Sequence, residues 1–136
     1  MSIKVTWLGH ACFAVETAGH LLLVDPFLND SPTAPITADD AEADFILLTH
    51  GHFDHVADAP ALALHYNVPI RAPGDLNQTL STLGVLPANL LPRMNKGGTI
   101  TPAPGIKVTA VRAEHSSIYV WRNPASNKDD PRNYTK

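Results

Sequence analysis

One cysteine, Cys12, in 136 residues excludes an intramolecular disulfide framework and makes a reducing compartment, the cytoplasm, the expected location. No run approaches the roughly 20 apolar residues that a membrane-spanning helix needs, and the longest, such as Phe45 to Leu48, are strand-sized. Met1 to Leu8 also lacks the charged start and apolar core of a secretory leader. Neither sign of charge dominates: 10 Lys and Arg stand against 13 Asp and Glu, scattered along the chain, for a formal charge of -3. Without a basic stripe, neither nucleic acid nor an anionic membrane surface is an expected partner, and a small-molecule substrate is. What is present is a chain that is 44% hydrophobic and long enough to bury one core.

Ile3, Val5 and Trp7 alternate with Lys4 and Thr6, the period of a half-buried strand ending near Leu8. Cys12 to Glu16 and Leu21 to Asp25 are two further strands, joined through Ala18-Gly19-His20 as a tight hairpin. Pro26 to Asp40, rich in Pro, Asp, Thr and Ser, is a loop with a helical turn beginning near Thr37. Phe45 to Thr49 is a continuous apolar run, expected to be buried on both faces of a sheet and to deliver His50 at its carboxyl end. Ala57 to Tyr66 is expected to be a helix, Val68 to Ala72 a strand, and Asp75 to Leu83 a helix stopped by Gly84. Gly97 to Thr101 and Ile106 to Ala113 are strands around Pro102, Pro104 and Gly105. The reading is an α/β domain over residues 1–121, without internal repeats, and a polar, poorly ordered tail over 122–136.

The chemistry concentrates in His50-Gly51-His52-Phe53-Asp54-His55, three imidazoles and a carboxylate within six residues at a strand end. Neutral imidazole and carboxylate hold zinc and related divalent ions, and a turn eased by Gly51 can splay them around one or two. His115, after a strand and before Ser116-Ser117, is a candidate third ligand with His50 and His52, leaving a fourth position for water. Asp54 and His115 are the candidates for a catalytic role. Asp25 ends a buried strand and either orients a ligand histidine or caps a loop. His10 either lines the site or caps its turn. His20 and His65 read as structural, Cys12 as a small buried hydrophobe, and Glu114 as pointing away from its neighbour His115.

Leu8-Gly9-His10, Leu23-Val24-Asp25-Pro26-Phe27, Leu47 through His55, and His115-Ser116-Ser117 occur in order, and together they resemble the metallo-β-lactamase superfamily. The likeness runs from about Ile3 to Asn127, the Gly97-Gly98 pair included, and is to its uncharacterised metal-dependent hydrolases, the branch close to ascorbate-phosphate lactonases. The resemblance implies a four-layer αβ/βα sandwich, with His50, His52 and His115 on one metal, Asp54 with His55 on another, and Asp25 supporting the ligands. The family continues with a second αβ half that supplies a bridging Asp, in a Gly-Asp-Thr segment, and a further His. No such segment, and no histidine after His115, is in this sequence. The expectation is therefore the amino-terminal αβ half of the sandwich, a truncated chain with an apolar sheet face left open to self-association or a partner.

By that resemblance the reaction is hydrolysis by metal-activated water of an ester, lactone, amide or phosphoester bond, with weak activity expected from this chain alone. Two rivals stand beside it: a metal-binding, catalytically silent fragment or a subunit completed by another chain, and an iron-dependent oxidoreductase of the same superfamily. Zinc is the first expectation for the ion, with manganese, iron and nickel open, because imidazole-rich sites accept all four.

Overall fold

In a computed structural model, residues 2–119 are described together with 122–123 and 128–129. Three antiparallel strands open the chain: β1 (Ile3–Trp7), β2 (Phe13–Thr17) and β3 (His20–Val24). The two-residue connection Ala18-Gly19 takes positive φ at both positions, 49° and 76°, the turn whose twist matches that of its flanking strands. After the loop, with a 3-10 turn at Ala38–Asp40 near the expected place, β4 (Phe45–Leu47) joins β3 in parallel. Two helices follow, α1 (Phe53–Val56) and α2 (Ala59–Tyr66), then β5 (Ile70–Pro73), α3 (Gly74–Thr82) and β6 (Arg93–Met94). The six strands form one sheet in chain order, antiparallel for the first three and parallel thereafter. β7 (Thr99–Ala103) and β8 (Ile106–Thr109) form a separate antiparallel hairpin.

The strand period divides the side chains between two sheet faces. Leu23, Ile46, Ile70 and Ala72 share one core with Leu62, Leu76 and Leu80 from the helices, each large aliphatic contributing about 1.5–3 kcal/mol through burial. Buried Asn77 of α3 donates through Nδ2 to the carbonyls of Ile70 and Pro92, tying the helix to β5 and to the approach of β6. On the opposite face Leu22, Ala103 and Ile106 form a smaller cluster, with Val15, Phe45, Leu47 and Val108 against it.

This second face departs from the sequence expectation. β4 is not buried on both sides: Ile46 is fully buried, whereas Phe45 and Leu47 are only partly covered, because the β7–β8 hairpin is a thinner layer than the helices. β1 is not half-buried either. Ile3, Val5 and Trp7 are 65%, 60% and 57% exposed, since the hairpin packs over the middle strands and does not reach the edge. Other expected boundaries hold within about three residues, except that β8 stops at Thr109 rather than near Ala113, and α1 and β6 had no counterpart in the sequence reading. In the expected tail, β9 (Arg122–Asn123) pairs antiparallel with β10 (Lys128–Asp129), and the rest of it lies outside the described residues.

Candidate metal centre

The carboxyl ends of β3 and β4 stand side by side, and the chemistry gathers there. Asp25, the residue after β3, adopts φ 46°, a left-handed backbone that an aspartate tolerates at a cost, while its amide donates to the Leu47 carbonyl at 2.9 Å. That kink aims a nearly buried carboxylate, 2% exposed, across the strand ends. Its Oδ1 accepts from the Thr49 amide at 2.8 Å, and its Oδ2 accepts from Thr49 Oγ1 at 2.6 Å and from His55 Nδ1 at 2.8 Å. An ionised carboxylate only accepts, so the single hydroxyl proton of Thr49 is committed to Asp25. Thr49 Oγ1, 2.8 Å from His50 Nδ1, must then accept from that ring, and His50 Nδ1 carries the proton. Both His50 and His55 are thereby held in the tautomer whose Nε2 lone pair is free, the form a metal ligand requires.

His50 Nε2 faces His52 Nδ1 at 2.9 Å, and the His115 ring stands edge-on to both, with centroids 4.7 and 5.0 Å away. Two serines pin the segment that carries His115: Ser117 Oγ accepts from the Gly51 amide at 3.0 Å, and Ser116 Oγ lies 3.4 Å from His52 Nε2. Gly51 is buried and does not adopt the positive φ of Gly9, so the turn does not need its left-handed freedom. Burial first, then the neighbouring imidazoles of His55 and His52, push the pKa of His50 down to about 4 against the pull of Asp25. Near neutral pH the Nε2 of this ring has no proton for an ion to displace.

A second group forms one helical turn away. α1 presents Asp54 and His55, and His10 arrives from the turn after β1 with Nε2 2.8 Å from Asp54 Oδ2. His10 also has a left-handed backbone, φ 48°, and follows Gly9 at φ 92°. Any Cβ on Gly9 would lie 2.8 Å from the Ala34 amide nitrogen, so the long loop closes on this turn only because the residue is glycine. Phe27 walls the group, its ring 5.8 Å from that of His10 and 5.7 Å from that of Phe53. The loop bearing Phe27 is anchored by buried Asp58, which accepts from the Leu28 and Asn29 amides. Burial raises the pKa of Asp54, but the charge of His55 and the hydrogen bond and charge of His10 outweigh it and leave the carboxyl below its ordinary value.

Every expected site residue therefore reaches one end of the sheet. His50, His52 and His115 form one set of donor atoms within 4.8 Å of one another, His10, Asp54 and His55 a second, and Asp25, His50 and His55 a third that bridges them. That spacing suits an ion with ligands at about 2.0–2.1 Å, and a mix of imidazole and carboxylate suits a divalent one. His10 is thus a full member of a donor group rather than a wall, and Asp25 is an orienting acceptor rather than a loop cap. Thr49, Ser117 and Phe27 carry no metal signal in sequence, because a hydroxyl or a ring acquires its role only from what folds against it. The other candidates stay apart: Cys12 is fully buried with its thiol pushed by burial up to about 11, and Glu114 pairs with Arg112 on the surface. His20 packs on Phe45 and His65 on Tyr66.

The sequence profile of the beta-lactamase superfamily domain matches residues 4–129. A UPF0173 metal-dependent hydrolase of Polaromonas sp. is 55% identical over 132 residues, which cover 93% of this chain and 48% of that protein. One of Thermoplasma volcanium is 37% identical over 122 residues, 90% of this chain and 52% of the relative. The chain thus spans about half the length of the curated relatives it matches. Among solved structures, Igni18, described as a metallo hydrolase of Ignicoccus hospitalis, superposes with a TM-score of 0.73 at 26% identity over 85% of this chain and 50% of its own. CmlA of Streptomyces venezuelae, described as a diiron beta-hydroxylase, gives 0.53 at 25% identity over 73% of this chain and 22% of its own.

Proposed function

Since the chain belongs to the beta-lactamase superfamily domain family, we propose that it carries the metal centre of a hydrolase acting on an ester, lactone, amide or phosphoester bond. The observation that carries this reading is the tautomer lock: Asp25 and Thr49 leave the Nε2 lone pair of His50 bare beside His52 and His115. His50, His52 and His115 would hold one divalent ion, zinc being the first choice, and Asp54 and His55 a second with His10. A bound ion supplies Lewis acidity and a hydroxide nucleophile near neutral pH. Asp25 orients both His50 and His55 at once. Asp54, ionised at neutral pH, can accept a proton from the attacking water, and His115, exposed at the mouth of the site, stands where substrate arrives. His52 Nδ1 donates to His50 in the metal-free protein, so for Nδ1 to serve as a ligand its proton would have to move to Nε2, beside Ser116 Oγ.

The likeness to the Polaromonas metal-dependent hydrolase and the Ignicoccus metallo hydrolase supports hydrolysis without indicating a substrate. A second reading, an iron-dependent oxidoreductase, draws on the likeness to CmlA and on the two adjoining donor groups. Elemental analysis of the purified chain beside His50→Ala and His115→Ala tests the centre: an ion lost in both variants supports it, and a metal-free parent overturns it. Turnover of nitrophenyl esters, lactones or phosphodiesters supports hydrolysis, whereas oxygen consumption by an iron-loaded protein favours the second reading. Stoichiometric metal with neither activity means a silent metal-binding chain.

A further inference from the structure

A cavity of about 510 Å³ opens beside the imidazole cluster, with His50 and His115 at one end. Two cations, Arg71 and Lys96, line it, and Leu47, Met94, Val108 and Val111 give it an apolar wall. Arg71 sits on β5 opposite Leu47, and its carbonyl accepts from the Leu48 amide, so its position is fixed by the sheet. His50 lies three residues beyond Leu47, a reach of at most about 10 Å of chain from the level of Arg71, within the length of a small molecule. Arg71 Nε is shut off from solvent and has no hydrogen-bond partner. Among the described residues no carboxylate stands within ion-pair distance of Arg71 or Lys96. Asp75 also borders the cavity, but its Oδ1 accepts from the Leu76 amide at the start of α3.

Arg71 is only half-buried, but its Nε–H, withdrawn from water without a partner, carries a desolvation cost that nothing in the free protein offsets. A purely structural arginine would have a partner for that donor. We infer that the cavity binds a substrate bearing an oxyanion, a carboxylate or a phosphate, on an apolar body, with Arg71 as the anion-recognition residue and Lys96 as its second cation. The planar donor fork of Arg71 suits either oxyanion, and the apolar wall takes the body that leads toward His50. This names the substrate class of the proposed hydrolytic site and rests on that reading for which end of the molecule reacts, although the anion contact needs no metal.

Titration of the full chain, metal-free and zinc-loaded in parallel, with benzoate, phenyl phosphate and neutral benzamide tests it by the arginine Nε–H resonances in nitrogen-edited NMR. The expected result is a saturable shift of the Arg71 resonance with benzoate or phenyl phosphate and none with benzamide, in both metal states. The tighter of the two anions identifies the natural headgroup. Arg71→Gln should weaken anion binding at least about tenfold, the size of a lost charged hydrogen bond. Arg71→Lys should fall between, and His65→Ala, at a residue packed on Tyr66 away from the cavity, should leave anion affinity within twofold. Equal shifts with benzamide, no saturable shift, or unchanged affinity in Arg71→Gln would each overturn the assignment. Should Arg71→Gln fail to fold, the wild-type titration and Lys96→Gln, expected to weaken binding less, decide it. Saturable anion binding in a chain that takes up no zinc sinks the metal reading alone, and zinc uptake without anion binding sinks this one alone.

Discussion

The two donor groups at the strand ends are built on different principles. His50, His52 and His115 stand on irregular backbone, two of them within one short segment, and the third is brought in beside two serines from a segment 65 residues later in the chain. His10, Asp54 and His55 are held by a single turn of helix and a left-handed turn that tolerates no Cβ. The first is all imidazole, the second includes a carboxylate, and Asp25 joins them by gripping Thr49 on one side and His55 on the other. A strand end gives register cheaply, whereas a group assembled from separate turns needs strain or a glycine to reach the same precision.

Substitutions that separate the groups should rank accordingly. His50→Ala removes a donor shared by two of the three sets and should weaken divalent-metal binding by more than about 100-fold, beyond the loss expected for an orienting partner. Calorimetric zinc titration checks this, and a variant that binds normally would break the claim that His50 is central. Asp25→Asn should lower affinity by about 10–100-fold at both groups together, because it disturbs both tautomers. If only one equivalent weakens, the two groups are not coupled through Asp25. His10→Ala should lower the affinity of the second equivalent and leave the first near its original value. Gly9→Ala should cost about 1–3 kcal/mol of stability in urea denaturation and weaken that same second equivalent through the displaced turn.

A separate effect is one of pH on the metal-free chain. His50 titrates near 4 when folded against an ordinary 6.5, so the unfolded chain binds the extra proton between those values. The contribution of His50 is therefore fully present above pH 6.5 and is lost as pH falls toward 4. Thermal melts of the parent should decline across that window, and those of His50→Gln should decline less.

Much of this was legible beforehand. The meander, the loop, the strand that delivers His50 and the helix stopped by Gly84, whose φ is 68°, follow from period and turn chemistry, because those signals are local. His115 was legible as a candidate third ligand because of the upstream motif, although nothing local distinguishes it from a structural histidine. The placement of His10 against Asp54 was not legible, because it depends on Gly9 meeting Ala34 across the long loop. The exposure of β1 was hidden for a related reason: alternation reveals that a strand has an apolar side, not whether another layer extends far enough to cover it. Arg71 sits in a strand like any other, and only its orphaned Nε marks it out.

Trp7 stands on that open edge, but its indole Nε1 donates to the carbonyl of His10 at 2.9 Å. The chain has two tryptophans, and with Trp121→Phe the emission comes from this ring alone. Its fluorescence is then a built-in optical gauge of the turn that carries His10, free of any attached dye. Occupancy of the carboxylate-containing group would register as a change in intensity, while filling of the all-imidazole group would pass nearly unseen.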